Sequence, residues 1–319
     1  MVLGTGDLTI EPEREGSVSI DGKAYRGHYR LVPATSKTFD VINHVHIEGY
    51  LKGVLARELY PEFAIEAYKA QAIVARTYAL YEWKTAPKDK PWDLYDSTRS
   101  QVYGGMSDES EKSQSAVDET AGVVVAHGPP GQEKIFKAYF SACCGGAGQS
   151  ATDAFGEPHH PALTEQYTGD QCSEAPRFRW GPVTVSKEEL TRRLRKFGQK
   201  NQRAEKDIST VQRVEVARLN PSGRPTHFTI TDAKGARYML IGEELRWAVN
   251  TDAPSSSSLY SSYVTPVSEG SAIRFENGHG HGHGVGMCQW CAEAQGKRGV
   301  GHEQIVLSAY RGAILRKAY

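Results

Sequence analysis

The segment Leu51–Tyr78, LKGVLARELYPEFAIEAYKAQAIVARTY, sets one carboxylate, Glu58, just ahead of a turn and an Ala-rich helix. An acid at such a junction is suited to general acid/base chemistry; without further context it reads first as an ordinary exposed acid. On a face of the same helix Glu62, Lys69 and Arg76 recur every seven residues, two helical turns, with Glu66 close to both cations. As a solvated face these pairs would add at most ~1 kcal/mol each. The second cluster is GHGHGHGVGMCQWCA from Gly278 onward. Alternation in an extended chain puts His279, His281 and His283 on one side, and with Cys288 and Cys291 they have the look of a metal box.

The elements that must position these groups are legible from period and punctuation. Phe63, Ala67, Ala70, Val74, Thr77 and Tyr81 recur at alternating steps of four and three, which predicts a helix with one buried stripe, Pro61 in its first turn and an end near Pro87–Pro91. Ser17–Val32 reads as a hairpin about Asp21-Gly22, with Val18, Ile20, Tyr25 and Tyr29 inward. Ser107–Thr120 reads as a charged helix, Gly122–Ala126 and Ile135–Phe140 as strands, and Ala147–Asp170 as a loop over the site. Ser186 with Glu189 forms a capping box for a helix through Phe197. Three strand-like runs follow, with turns at Asn220–Gly223 and Lys234-Gly235, and Pro254–Tyr263 reads as a mobile loop.

The chain has 319 residues, enough for a substantial core. Its 38 Lys and Arg balance 38 Asp and Glu, so no broad attraction to nucleic acid or anionic lipid is expected. It has no apolar run of about 18 residues, and MVLGTGDLTI lacks the basic and apolar regions of a signal peptide. No G-x-S-x-G elbow is present, and Gly145-Gly146 lacks the Lys-Ser/Thr of a phosphate loop.

Several blocks, in order, resemble the sporulation stage II protein D (SpoIID) family, whose members act on bacterial cell-wall glycan. They are Gly53, Val54 and Glu58; Glu66, Ala67, Lys69–Ala72 and Ala75–Tyr78; DSTRSQVYGG (Asp96–Gly105); KAYFSACCGG (Lys137–Gly146); GHGVGMCQWCA (Gly282–Ala292); and Tyr310–Gly312. Together they cover nearly all of the chain.

The resemblance implies an α+β fold of mixed helices and mainly antiparallel strands around a substrate groove. The core then comprises residues 1–182 and 251–319, and residues 183–250, which resemble the family only faintly, read as an inserted smaller α+β subdomain. The resemblance also implies a peptidoglycan lytic transglycosylase: one acid, Glu58, protonates the leaving glycosidic oxygen, and the muramic acid C6 hydroxyl closes a 1,6-anhydro ring. The alternative is a glycan-binding amidase enhancer that cleaves nothing. A zinc-dependent hydrolase would need a His/Cys site with one open coordination position. On the family's pattern Lys69, Arg76, Gln101, Tyr103, Tyr139, Ser141, His283 and Gln289 are substrate-binding candidates, and His279 and His281 are residues of the groove rim. For Lys69 and Arg76 the ligands would be sugar hydroxyls or lactyl carboxylates, or else structural partners. Catalysis would need no cofactor. The five cysteines leave two schemes open: a disulfide between Cys144 and Cys172, as family members suggest, or a structural Zn2+ site for which Cys144, Cys172, Cys288 and Cys291 are the candidate ligands. Expected partners are peptidoglycan strands and a cell-wall amidase, and the expected location is the cell envelope after export.

Overall fold

The structure, a computed structural model, describes residues 7–12, 16–35 and 37–319; Met1–Gly6, part of the stretch read for an export signal, lie outside the described residues. It is α+β, with eight α-helices and mainly antiparallel strands among the described residues. The chain divides into two compact units, residues 1–138, 295–307 and 313–319, and residues 139–294 and 308–312. The boundaries expected at 182 and 250 both fall inside the second unit, because residues 183–250 share a hydrophobic core with Leu259, Val264, Ile273 and Phe275.

The first unit is built on three helices, α1 (Ile47–Glu58), α2 (Ile65–Thr85) and α3 (Glu111–Glu119). Residues 70–79 of α2 are buried without a break, so the expected single stripe is too narrow: small Ala side chains let neighbours pack on every side. Pro61 stands outside the helix, in a turn closed by the Phe63 N–H on the Tyr60 carbonyl, and α2 begins only at Ile65. Thr77 ties α2 to the strand Val123–His127: its hydroxyl donates to the Ile73 carbonyl (2.7 Å) and accepts the Val125 N–H (2.9 Å). That strand pairs antiparallel with Ile314–Lys317 and with Lys134–Ile135. The expected hairpin is present but shorter, Val18–Ile20 against Lys23–Tyr25, and its Asp21-Gly22 turn has both φ positive (50° and 77°) as a two-residue turn requires. Tyr29 is buried, on the separate strand His28–Pro33.

In the second unit the short helix α4 (Ala151–Phe155) precedes α5 (Lys187–Asn201) and α6 (Gly242–Asn250). The Ser186 hydroxyl accepts the Glu189 N–H at 3.1 Å, as the capping pattern predicts. One antiparallel sheet joins Val211–Leu219, Pro225–Asp232 and Arg237–Ile241; another joins Val183–Ser186, Ala272–Glu276 and Thr265–Glu269. Their shared core includes Leu190, Leu194, Phe228, Ile230 and Phe275, all fully buried and each worth roughly 1.5–3 kcal/mol in burial. The pair Phe140–Ser141 and Met287–Cys288 runs parallel and brings the SACCGG and GVGMC blocks side by side. Residues 143–151 are buried, so the stretch expected to be an overlying loop begins as core.

Candidate functional site

Glu58 is the last residue of α1 and half-buried; at Leu59 the chain turns extended (φ −118°, ψ 151°). Its Oε1 accepts the Val102 N–H at 3.0 Å. That bond depends on how closely the Asp96–Gly105 block lies on α1. Gly53 permits the approach: a Cβ there would stand 2.7 Å from the Gly105 carbonyl oxygen and 2.9 Å from the Tyr103 ring. The C-terminal end of a helix carries partial negative charge, which disfavours an anion on Glu58, whereas the Val102 N–H favours one. Tyr60, 50% exposed, packs its ring 5.5 Å from that of Phe63 just beyond the acid.

The candidates around it in this unit have protein partners. Gln101 is fully buried; its Oε1 accepts the Tyr50 hydroxyl (3.2 Å) and its Nε2 donates to the Ala75 carbonyl (3.3 Å), pinning the loop between α1 and α2. The Tyr103 hydroxyl donates to Asn43 Oδ1 at 3.1 Å, and burial pushes its pKa up. Lys69 bridges Glu66 (3.2 Å) and Glu119 (2.7 Å). Glu66 is partly buried, which raises its pKa, but hydrogen bonds from His302 and Lys69 outweigh this and hold it at about 2. Arg76 is fully buried. Its Nε and Nη2 grip the Glu48 carboxylate (2.9 and 2.6 Å), and its other N–H groups donate to the Val123, Val117 and Ala72 carbonyls. Burial pushes Glu48 up, yet the Arg76 guanidinium, the Tyr319 hydroxyl and the Gly122 N–H hold it below the usual carboxylate range. The donors of Arg76 are thus engaged by groups of its own unit.

In the second unit the three histidines do not converge on one metal box. His279 lies against Tyr263 (4.8 Å), His281 edge-on to Tyr260 (5.6 Å), and His283 edge-on to Phe155 (5.2 Å) and Tyr139 (5.6 Å). His283 Nδ1 accepts the Val285 N–H at 3.0 Å, which assigns the ring proton of the neutral form to Nε2. Ser141 is buried and its Oγ accepts the Gly284 N–H at 3.1 Å. Tyr139, 8% exposed, stacks on Phe155 at 4.8 Å, and its hydroxyl donates to Glu157. Gln289 opens α7 (Gln289–Lys297) and is buried. Arg224, in the NPSGR turn that showed no chemical pattern in sequence, was missed. It is fully buried and donates to the carbonyls of Ala147 (3.0 Å), His283 (3.1 Å) and Cys144 (3.4 Å). Gly284, at φ +69°, makes room for it: a Cβ there would be 2.1 Å from Nη1.

Comparison with known proteins bears on the Glu58 arrangement. Residues 35–127 match the family described as stage II sporulation protein, SpoIID, and this span contains α1, α2 and the Asp96–Gly105 block. Residues 157–286 match a domain of unknown function, DUF8618. An uncharacterized protein of Brachyspira hyodysenteriae is 29% identical over 302 residues, 94% of this chain and 74% of that protein. An amidase enhancer of Bacillus subtilis is 27% identical over 187 residues, 57% of this chain. The matched part is 24% of the enhancer's own length, so the enhancer is a far longer protein than the stretch shared here. No helix among the described residues is long and apolar enough to cross a membrane.

Outside the SpoIID span, the second unit buries Cys144, Cys172, Cys288 and Cys291 with their sulfurs all within 4.8 Å of one another. The Cys144 sulfur is 3.6 Å from that of Cys172 and 3.8 Å from that of Cys291, and no disulfide is formed among the described residues. Phe178 and Trp290 pack over the cluster. Hydrogen bonds from Cys143, Cys144, Cys288 and Cys291 hold the Cys172 thiol well below its ordinary range, while the bond to Cys172 pushes Cys143 up to about 12.

Proposed function

We propose that the chain is a peptidoglycan lytic transglycosylase in which Glu58 is both acid and base. The observation that carries this reading is the fixed carboxyl at the end of α1, oriented by the Val102 N–H within the SpoIID span. Breaking the β-1,4 bond between N-acetylmuramic acid and N-acetylglucosamine requires a proton on the leaving oxygen as positive charge grows on the muramic ring. Glu58 donates that proton. The muramic C6 hydroxyl attacks the anomeric carbon and returns its proton to the Glu58 carboxylate, so the acid is regenerated and no water is consumed. Peptide-stripped strands are the substrate we expect, supplied by an amidase, with the protein acting outside the cytoplasm.

The test is mass spectrometry of products from amidase-stripped peptidoglycan strands incubated with wild type and Glu58→Gln. Anhydro-muramic ends from the wild type and none from Glu58→Gln are expected. Reducing ends instead would mean hydrolysis. A second reading, a non-catalytic enhancer of a cell-wall amidase, is favoured by the name of the Bacillus subtilis relative. It would be adopted if neither protein yields products, both retain strand binding, and the wild type raises the turnover of an amidase.

A further inference from the structure

We propose that Cys144, Cys172, Cys288 and Cys291 bind a single zinc ion in a closed four-thiolate centre whose role is structural, with Cys143 outside the ligand set. The inference stands apart from the glycan chemistry assigned to Glu58. Its first support is size. Zinc–thiolate bonds of ~2.3 Å in a tetrahedron separate the sulfurs by ~3.8 Å, and the Cys144 sulfur stands 3.6 and 3.8 Å from those of Cys172 and Cys291. A disulfide would need ~2.05 Å. A four-iron cube spreads its cysteines around a cage and requires wider spacing than a set within 4.8 Å of one another.

The second support is the surroundings, which are those of a charged metal–thiolate group. The Cys144 and Cys291 N–H groups both donate to the Cys288 sulfur, at 3.3 and 3.4 Å, and the Thr168 hydroxyl lies 3.0 Å from the Cys144 sulfur. Such outer hydrogen bonds orient ligands and spread their charge. Cys288 immediately precedes α7 and Cys291 lies in its first turn, at the positive end of the helix dipole. Zinc with four thiolates carries net charge −2, and the guanidinium of Arg224, wholly buried and bonded to the Cys144 carbonyl, supplies a nearby positive charge. Four thiolates select a soft cation over magnesium or calcium.

The assignment of ligands follows from the same geometry. Cys143 touches Cys172 and Cys288 but falls outside the group in mutual reach, and its backbone is paired to His281 through N–H to carbonyl bonds of 3.0 and 2.8 Å. On binding, zinc displaces the thiol protons into solvent. Four protein ligands leave no position for water or substrate, so the ion does not do chemistry. It joins the SACCGG block, the turn at Gly169–Cys172 and the start of α7, segments that are 28 and 147 residues apart along the chain. The short segment that presents His283 is held at one end by the backbone pairing of His281 with Cys143 and at the other by the zinc ligand Cys288.

The test is metal analysis of the full chain, purified and dialysed against a weak chelator. One zinc per chain is expected in the wild type and in Cys143→Ser, and less than a tenth of that in Cys172→Ser and Cys288→Ser. Because those two variants could fail to fold, wild type is also refolded with Co2+. A tetrahedral four-sulfur site gives intense thiolate-to-cobalt bands, and zinc added afterwards should bleach them at one equivalent. Zinc retained in soluble Cys172→Ser, iron in place of zinc, a mapped disulfide among the four cysteines, or refolded wild type that takes up neither metal would overturn the proposal. Zinc lost from folded Cys143→Ser would overturn the ligand assignment.

Discussion

Replacing Arg76 by Met separates a residue that holds the fold from one that holds a glycan. The guanidinium has no exposed surface, whereas Glu48 keeps 15% of its side chain exposed. In Arg76→Met the Glu48 carboxylate loses both of its bonds to the guanidinium and keeps only the Gly122 N–H and the Tyr319 hydroxyl. Three carbonyls, those of Ala72, Val117 and Val123, lose a donor as well. Breaking one side of a buried pair costs about 3–5 kcal/mol. For a domain of about 150–250 residues this lowers Tm by roughly 6–20 °C. The double variant Arg76→Met/Glu48→Leu removes the stranded charge too and should recover much of the loss. The pH dependence has a definite sign. The Glu48 pKa is lowered in the folded state, so its contribution is present above the unfolded carboxylate pKa and fades as pH falls through the folded value. Arg76→Met should flatten that acid limb. Thermal and urea unfolding followed by circular dichroism, from pH 7 down to pH 3, supply both readouts. The reasoning fails if Arg76→Met melts within 2 °C of the wild type while strand binding collapses, since that pattern belongs to a ligand contact.

Gly53→Ala should reduce glycan cleavage by about 10–100-fold, the equivalent of about 1.5–3 kcal/mol for a charged hydrogen bond, because the added methyl pushes Gly105 and Tyr103 away and takes the Val102 N–H from Glu58. Unchanged turnover in a folded Gly53→Ala would show that this bond does not orient the acid. Glu66, held at about 2 by His302 and Lys69 against its own desolvation, contributes stability that is complete above the ordinary Glu value and lost as pH falls toward 2. Glu66→Gln should therefore lose stability at pH 6 and converge on the wild type near pH 2 in urea titrations; a constant gap across that range would refute the assignment.

What could be read from sequence divides according to how locally each feature is determined. The Asp21-Gly22 turn, the Ser186 cap and the helix before Pro87 depend on neighbours a few residues away, and each is present in the structure. The unit boundary was not legible, since the cores that define it draw on residues far apart in sequence, such as Leu190 with Phe275. Within the candidate site, the resemblance to the SpoIID family brought out Glu58, and helical spacing could not tell which cations were already satisfied. Lys69 and Arg76 lie two turns apart on one helix, yet the partners that occupy Arg76 come from α1 and from beyond α3, through Glu48 and Val123. Arg224 shows the same limit from the other side. Its burial depends on a bare glycine backbone sixty residues later in the chain, at Gly284, and nothing in the NPSGR turn itself signals that cavity. A glycine in such a motif is therefore informative about another segment. Gly53 and Gly284 mark where a loop and a guanidinium come to rest, and both sit next to groups on which the proposed chemistry and the metal centre depend.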